Sequence, residues 1–107
     1  MTSRSLLNTR MPDTAQYVAE FMGYDQYFAA SSGVEACEAA VKLASKWGYT
    51  KKGIEEDKAS IILANNNFWG RSITASGASS DPMRGKFFGP HTPGFHLVDF
   101  NDIDALE

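Results

Sequence analysis

The sequence predicts an α/β protein with a mostly parallel sheet. Three short apolar segments alternate with longer segments in which apolar residues recur at helical spacing. Strands that alternate with helices in this way are typical of a parallel sheet covered by helices. The 107 residues, of which 43% are hydrophobic and 21% are charged, suffice for one modest core.

The first two predicted elements are a helix and a strand. A helix is expected over residues 13–22, after Pro12. Gly23 is expected to end it in the left-handed conformation. The apolar run at residues 27–30 predicts a short buried strand.

The clearest predicted helix covers residues 33–47. Its apolar stripe consists of Ala36, Ala40, Leu43 and Trp47. Acidic residues lie toward its N-terminus and lysines toward its C-terminus, which suits the helix dipole. Gly48 is expected to end the helix, and Cys37 to be a small core residue.

The second half of the chain adds two strands and two helices. These are strands at residues 60–64 and 96–100 and helices within residues 70–78 and from Ile103 onward. Residues 81–94 form a loop with three prolines and three glycines, and loops of this length are often functional. Asn101 or Asp102 caps the last helix, which stops after one turn, so we expect the sequence to be truncated there.

Composition and charge argue against several classes of protein. A net charge of −3 is unfavourable for binding nucleic acid, and the lone Cys37 cannot form an internal disulfide. No apolar run is long enough to span a membrane, and residues 1–7 do not resemble a secretory signal. His91 and His96 lack metal-ligand spacing, so we expect both to be structural or solvated.

The predicted strand-to-helix junction at residues 30–35 is the first candidate site. A helix N-terminus presents unpaired N–H groups and the positive end of its dipole, which suit a phosphate. Gly33 would allow close approach of an anion, and Ser32 would add a hydroxyl donor. The alternative is a plain capping box formed by Ser32 and Glu35, which this junction alone favours. The two interpretations are compatible, because a cap leaves the earliest N–H groups free.

Residues 65–71, directly after the second predicted strand, are the second candidate site. Ligands of α/β sheets bind beyond the carboxyl ends of the strands. Phe68 would stack on a planar cofactor ring, and Arg71 would hold a carboxylate through two hydrogen bonds. The alternatives are an aromatic anchor for the loop and a surface ion pair, and these residues alone do not decide between them.

Several segments resemble the ornithine aminotransferases, pyridoxal-phosphate enzymes of the class III aminotransferase family. They are residues 2–4, 32–36, 42–49, 52–54, 67–71, 81–82, 88–90, 93–95, 101–102 and 105–107. Lys-Trp-Gly-Tyr at residues 46–49 and Phe-Trp-Gly-Arg at residues 68–71 are more typical of the ornithine enzymes than of their class III relatives. The likeness extends over nearly the whole chain. It departs at residues 31–32, where Asn-Thr is usual, and at Cys37, where glycine is usual.

The resemblance implies that residues 1–107 are the N-terminal part of a large, three-layer α/β/α domain of the type I pyridoxal-phosphate fold. It implies transfer of the δ-amino group of ornithine to 2-oxoglutarate by a homo-oligomer in the cytoplasm or mitochondrial matrix. Enzymes acting on acetylornithine or 4-aminobutyrate are the alternatives within the family. Neither nucleic acid nor a membrane is an expected partner.

The resemblance also implies roles for individual residues. Gly33 and Val34 would bind pyridoxal phosphate through backbone N–H groups, with Ser32 nearby. Phe68 would stack against the pyridine ring, Trp69 would line the substrate pocket, and Arg71 would hold a substrate carboxylate.

A further implication is that the catalytic groups are missing. In the family, the lysine that forms a Schiff base with the cofactor and the acid that pairs with its ring nitrogen come later in the chain. The lysines present match no catalytic position; they are Lys42, Lys46, Lys51, Lys52, Lys58 and Lys86. We therefore expect no catalysis by this chain alone, and a non-catalytic assembly element or a truncated relic is the alternative. Because the first strand of this fold does not adjoin the next two, unpaired sheet edges are also expected.

Overall fold

The computed structural model describes residues 8–106, which divide into two compact units before and after the Ser32–Gly33 bond. The first unit contains helix α1, Met11–Met22, which begins two residues earlier than predicted. Pro12 lies in the first turn of this helix, where the N–H that proline lacks would have no acceptor inside the helix. Gly23 ends the helix in the predicted left-handed conformation, with φ 74° and ψ 29°.

The strand predicted at residues 27–30 is not found in the described part of the chain. Strand pairing within residues 8–106 is confined to two later segments. An extended segment becomes a strand only when a neighbour completes its hydrogen-bond ladder. Tyr27 and Phe28 are 41% and 56% exposed, so the expectation of burial is also wrong.

The second unit contains four helical segments and a parallel strand pair. These are α2 (Gly33–Lys51), β1 (Ile61–Ala64), α3 (Ile73–Gly77), α4 (Pro82–Gly85), β2 (Phe95–Val98) and a 3-10 turn (Asp104–Leu106). The strands run parallel, with Ile61 beside Phe95 and Ala64 beside Val98. This confirms the α/β class and the parallel pairing. Asp102 caps the last turn as predicted, accepting from the Ala105 N–H at 3.1 Å.

Helix α2 begins at the predicted residue but continues past its predicted end. Gly48 lies inside the helix and is buried, and a Cβ there would lie 3.2 Å from Cδ1 of Ile54. The Ile54 N–H bonds back to the Gly48 carbonyl at 3.2 Å. Gly48 therefore permits close packing, and Gly53, with φ 69°, supplies the left-handed turn beyond the helix end.

The apolar stripe of α2, defined by Ala36, Ala40, Leu43 and Trp47, is exposed. Leu43 is 69% exposed and Trp47 53%. The half-buried or buried positions lie beside it, at Val34, Cys37, Glu38, Ala39, Val41, Ser45, Gly48 and Tyr49. The predicted period is correct, but a different face contacts the rest of this unit. Within residues 8–106 the buried apolar side chains are all alanines, at Ala19, Ala75 and Ala78.

The two short helices after β1 each begin with a capping side chain, a serine for α3 and an aspartate for α4. Ser72 caps α3 by accepting from the Ala75 N–H at 3.1 Å, so this helix is shorter than predicted. The Ser72 hydroxyl also donates to Glu38 on α2 at 2.5 Å, a part-buried contact that joins α3 to α2. Asp81 caps α4, a short helix inside the predicted loop. No helix in the described range 8–106 has the length and apolar character needed to cross a membrane.

Candidate functional site

The loop after β1 is fixed by the side chain of Asn67. Its Nδ2 donates to the carbonyl oxygens of Ala64 and Ala78, both at 2.9 Å. The neighbouring Asn66, with φ 60°, donates its N–H to the Ser80 hydroxyl at 2.7 Å. These bonds join the end of β1 to the segment after α3. They therefore set the direction in which the next residue, Phe68, leaves the sheet.

A cavity of about 730 Å³ lies beside this loop. It is lined by Phe68, Gly70, Arg71, Ile73, Ser76, Arg84 and Phe88. Two of the predicted site residues, Phe68 and Arg71, thus lie in one cavity. An apolar pocket with a few convergent polar groups is the usual form of a small-molecule site.

Arg71 supplies an uncompensated positive charge to this cavity. Its side chain is exposed, and no carboxylate within residues 8–106 pairs with it. The surface ion pair considered as the alternative is therefore not formed in the described chain. A guanidinium with free donors in a concave site is suited to bind a carboxylate through two parallel hydrogen bonds.

Gly70 brings the two candidate segments into contact. A Cβ built on Gly70 would lie 2.2 Å from Cγ2 and 2.6 Å from Cβ of Val34. Only a residue without a side chain allows this approach of the loop to the first turn of α2. Gly70 also lines the cavity, so the start of α2 lies next to it. The sequence predicted both segments but not the contact that joins them.

The start of α2 has the features of an anion site. Gly33 is the first residue of this 19-residue helix, and, apart from its chain neighbours and the backbone of its own helix, no atom of the described chain lies within 4 Å of the position a Cβ would take there. The first N–H groups of a helix lack partners inside the helix. Together with the Phe68 ring, which is 59% exposed, this opening fits a planar cofactor that carries a phosphate. Ser32 belongs to the first unit, so its predicted role stays a prediction.

Trp69 has different surroundings from Phe68 and Arg71. Its ring packs against Phe95 of β2, with 6.5 Å between centroids and a tilt of 42°. It does not line the cavity, and its indole Nε1 is buried without a hydrogen-bond partner in residues 8–106. Its predicted role at the substrate pocket is therefore not supported by a cavity contact and stays a prediction.

Four cavity residues were not singled out from the sequence: Ile73, Ser76, Arg84 and Phe88. Arg84 and Phe88 come from the 81–94 segment, for which only loop length indicated a function. His91 and His96 have structural contacts, as expected: ring nitrogens lie 3.0 Å from the Gly85 carbonyl and 3.2 Å from the Ser60 hydroxyl, respectively.

Comparison with known proteins defines the class to which this fold and cavity belong. The family model described as aminotransferase class-III matches residues 1–107, and the chain belongs to that family. The probable mitochondrial ornithine aminotransferase of Caenorhabditis elegans is 45% identical over all 107 residues, and the mitochondrial ornithine aminotransferase of Rattus norvegicus is 43% identical. This chain covers 25% and 24% of those two relatives, so it spans about a quarter of their length.

Solved structures give the same result for the fold. An ornithine aminotransferase from Toxoplasma gondii matches with a TM-score of 0.93 and 43% identity, over 99% of this chain and 25% of that one. A second structure of that enzyme shows partial occupancy of pyridoxal phosphate at its active site.

Proposed function

We propose that residues 1–107 are the N-terminal part of the cofactor-binding large domain of an ornithine aminotransferase. The proposed reaction is transfer of the δ-amino group of ornithine to 2-oxoglutarate with pyridoxal phosphate. The observation that carries the proposal is the contact of Gly70 with Val34, which joins the start of α2 to the cavity of Phe68 and Arg71. The mitochondrial relatives support a mitochondrial location, with the cytoplasm as the alternative, and a homo-oligomer is proposed for the full-length enzyme.

The residues of this chain bind and orient ligands in this proposal. The N–H groups of Gly33 and Val34 hold the phosphate, aided by the Ser32 hydroxyl. Phe68 lies against the cofactor ring, Trp69 borders the substrate, and Arg71 holds a substrate carboxylate. Bound pyridoxal phosphate supplies an electron sink for the carbon that exchanges its amino group. We assign no catalytic residue to this chain.

The first expected result is saturable binding of pyridoxal phosphate, measured by quenching of tryptophan fluorescence. Inorganic phosphate should relieve the quenching, because both ligands use the start of α2. Only the phosphate-sensitive part counts, since lysines react adventitiously with the aldehyde. Gly33→Pro should weaken binding about ten-fold, because proline fits the first helical position but removes one N–H donor. Phe68→Ala should weaken it by a similar factor through loss of stacking.

Gly33→Ala is the matched control for the helix variant. It keeps the N–H, and its methyl group meets no atom of the described chain within 4 Å beyond the neighbouring residues and backbone of its own helix, so binding should change less than two-fold. A folded wild-type chain that shows no phosphate-sensitive quenching would remove the proposed cofactor role. Equal binding by Gly33→Pro and Gly33→Ala would place the phosphate elsewhere.

Arg71→Ala is expected to weaken binding of 2-oxoglutarate about ten-fold at saturating pyridoxal phosphate. A hydrogen bond to a charged group contributes about 1.5–3 kcal/mol, and about 1.4 kcal/mol corresponds to ten-fold in affinity. The affinity of Arg71→Lys for 2-oxoglutarate should lie between those of the wild-type chain and Arg71→Ala, because lysine keeps the charge but lacks the planar guanidinium. Calorimetric titration measures the effect. Unchanged affinity for 2-oxoglutarate in Arg71→Ala would contradict the assignment, and an equal loss of cofactor affinity would indicate unfolding instead.

A further inference from the structure

Arg84 covers one face of the Phe68 ring. Its guanidinium carbon lies 4.7 Å from the ring centroid, within the range of a cation–π interaction. Both side chains line the cavity, although they belong to segments 16 positions apart. The proposed function uses the Phe68 ring but gives Arg84 no role.

Two further contacts hold Arg84 over the ring. Its Nε lies 3.1 Å from Oδ2 of Asp81, and its Nη1 donates to the Asn67 carbonyl at 3.3 Å. Asp81 is itself fixed, because its Oδ1 accepts from the Met83 N–H at 2.9 Å. The guanidinium is therefore held from α4 on one side and from the Asn67 carbonyl, next to Phe68 in the chain, on the other.

These contacts contribute more to geometry than to stability. The Arg84 and Asp81 side chains are 42% and 38% exposed, and ion pairs so exposed add little to the free energy of unfolding. Asp81 compensates the Arg84 charge, whereas Arg71 has no carboxylate partner within the described residues. The two arginines of the cavity are thus electrostatically different: Arg71 is free to bind an anion, and Arg84 is already engaged.

We propose that Arg84 is a positioning residue that fixes the Phe68 ring so that its other face receives a planar cofactor. A ring with one face covered by a cation and its backbone anchored through Asn67 loses little conformational freedom when a ligand stacks on it. This inference rests on the proposed stacking role of Phe68. It adds a residue from the α4 segment to the site without giving it contact with the substrate.

The geometry is tested first on the chain without cofactor, by proton NMR. The δ-methylene and Nε protons of Arg84 should resonate upfield of their usual positions because they lie over an aromatic face. Phe68→Leu should return them to ordinary values. Arg84 resonances at ordinary positions in the wild-type chain overturn the proposal, whether or not the chain binds pyridoxal phosphate.

The functional consequence is tested by fluorescence titration with pyridoxal phosphate. Arg84→Gln, which keeps a donor for the Asn67 carbonyl but lacks the charge, should bind about three-fold more weakly, the size expected for an exposed cation–π contact. Arg84→Lys should recover part of the affinity. Lys86→Ala is the matched control, because Lys86 lies 5.1 Å from the centroid of Phe87 and neither residue lines the cavity. If the wild-type chain and Arg84→Gln bind pyridoxal phosphate equally well, Arg84 has no positioning role. If the wild-type chain does not bind pyridoxal phosphate, the proposed function fails, and the NMR experiment still tests the contact between Arg84 and Phe68.

Discussion

Replacing Gly70 by alanine is expected to abolish pyridoxal phosphate binding and to lower the free energy of unfolding by about 1–3 kcal/mol. The new methyl carbon would lie 2.2 Å from Cγ2 and 2.6 Å from Cβ of Val34, far inside van der Waals contact. Either the loop must retreat from α2 or the first turn of α2 must shift. Both movements separate Gly33 from Phe68, so binding is lost even where the chain stays folded.

A double-mutant cycle with Val34→Ala isolates this contact. Removing Cγ2 relieves the shorter of the two overlaps but leaves the Val34 Cβ in place, so stability in the double variant should be partly restored. Urea unfolding followed by circular dichroism measures the free energies, and fluorescence titration measures binding. Strictly additive effects of the two substitutions would show that Gly70 and Val34 do not touch in solution.

Asn67→Asp is expected to destabilise the second unit by about 3 kcal/mol. The change keeps the shape of the side chain but replaces a donor of two hydrogen bonds by a carboxylate. Two carbonyl oxygens, those of Ala64 and Ala78, would then face a negative charge at about the present 2.9 Å. Each lost bond costs about 1 kcal/mol, and the unsatisfied, repelled carbonyls add to that.

Asn66→Asp is the matched control for this change. It introduces the same charge one residue earlier, at an exposed position whose backbone N–H makes the described contact with Ser80. Its free energy of unfolding should stay within about 0.5 kcal/mol of the wild-type value. Equal losses in the two variants, measured by urea unfolding, would indicate a general effect of charge and not the loss of the Asn67 bonds.

Local signals account for the features that the sequence predicted correctly. The start of α2, the two paired strands and the Asp102 cap depend on residues close together in the chain, where period and capping chemistry decide the structure. The presence of Phe68 and Arg71 in one cavity was also predictable, because both follow β1 directly.

Contacts between distant residues could not be predicted in the same way. Nothing in the composition of residues 81–94 indicates that Arg84 crosses to Phe68, and the approach of Gly70 to Val34 depends on how the loop folds over α2. The prediction that Gly48 ends α2 was wrong because glycine occurs both at helix ends and where a helix packs closely against another residue. Only the position of Ile54 in the structure shows that Gly48 has the second role.

The exposure of the apolar stripe of α2 has a related cause. Hydrophobic periodicity shows that a helix has an apolar face but not which residues cover that face. The chain spans about a quarter of its relatives' length, and in it Leu43 and Trp47 are 69% and 53% exposed. A correct period therefore predicted the helix but not which side of it contacts residues of this chain.

The parallel pairing of β1 with β2 also closes a long loop of the chain. Asn65 and Asp99, at the ends of the two strands, are joined by a 2.7 Å hydrogen bond across a sequence separation of 34 residues. Closing a loop of that length costs about 3 kcal/mol of chain entropy before any strand contact forms. The Asn67 bonds, in contrast, reach only to Ala64 and Ala78, at most 11 positions away, so they close a much shorter loop. The cavity is lined by residues from Phe68 to Phe88, so a short peptide that contains only Phe68 and Arg71 would not reproduce it.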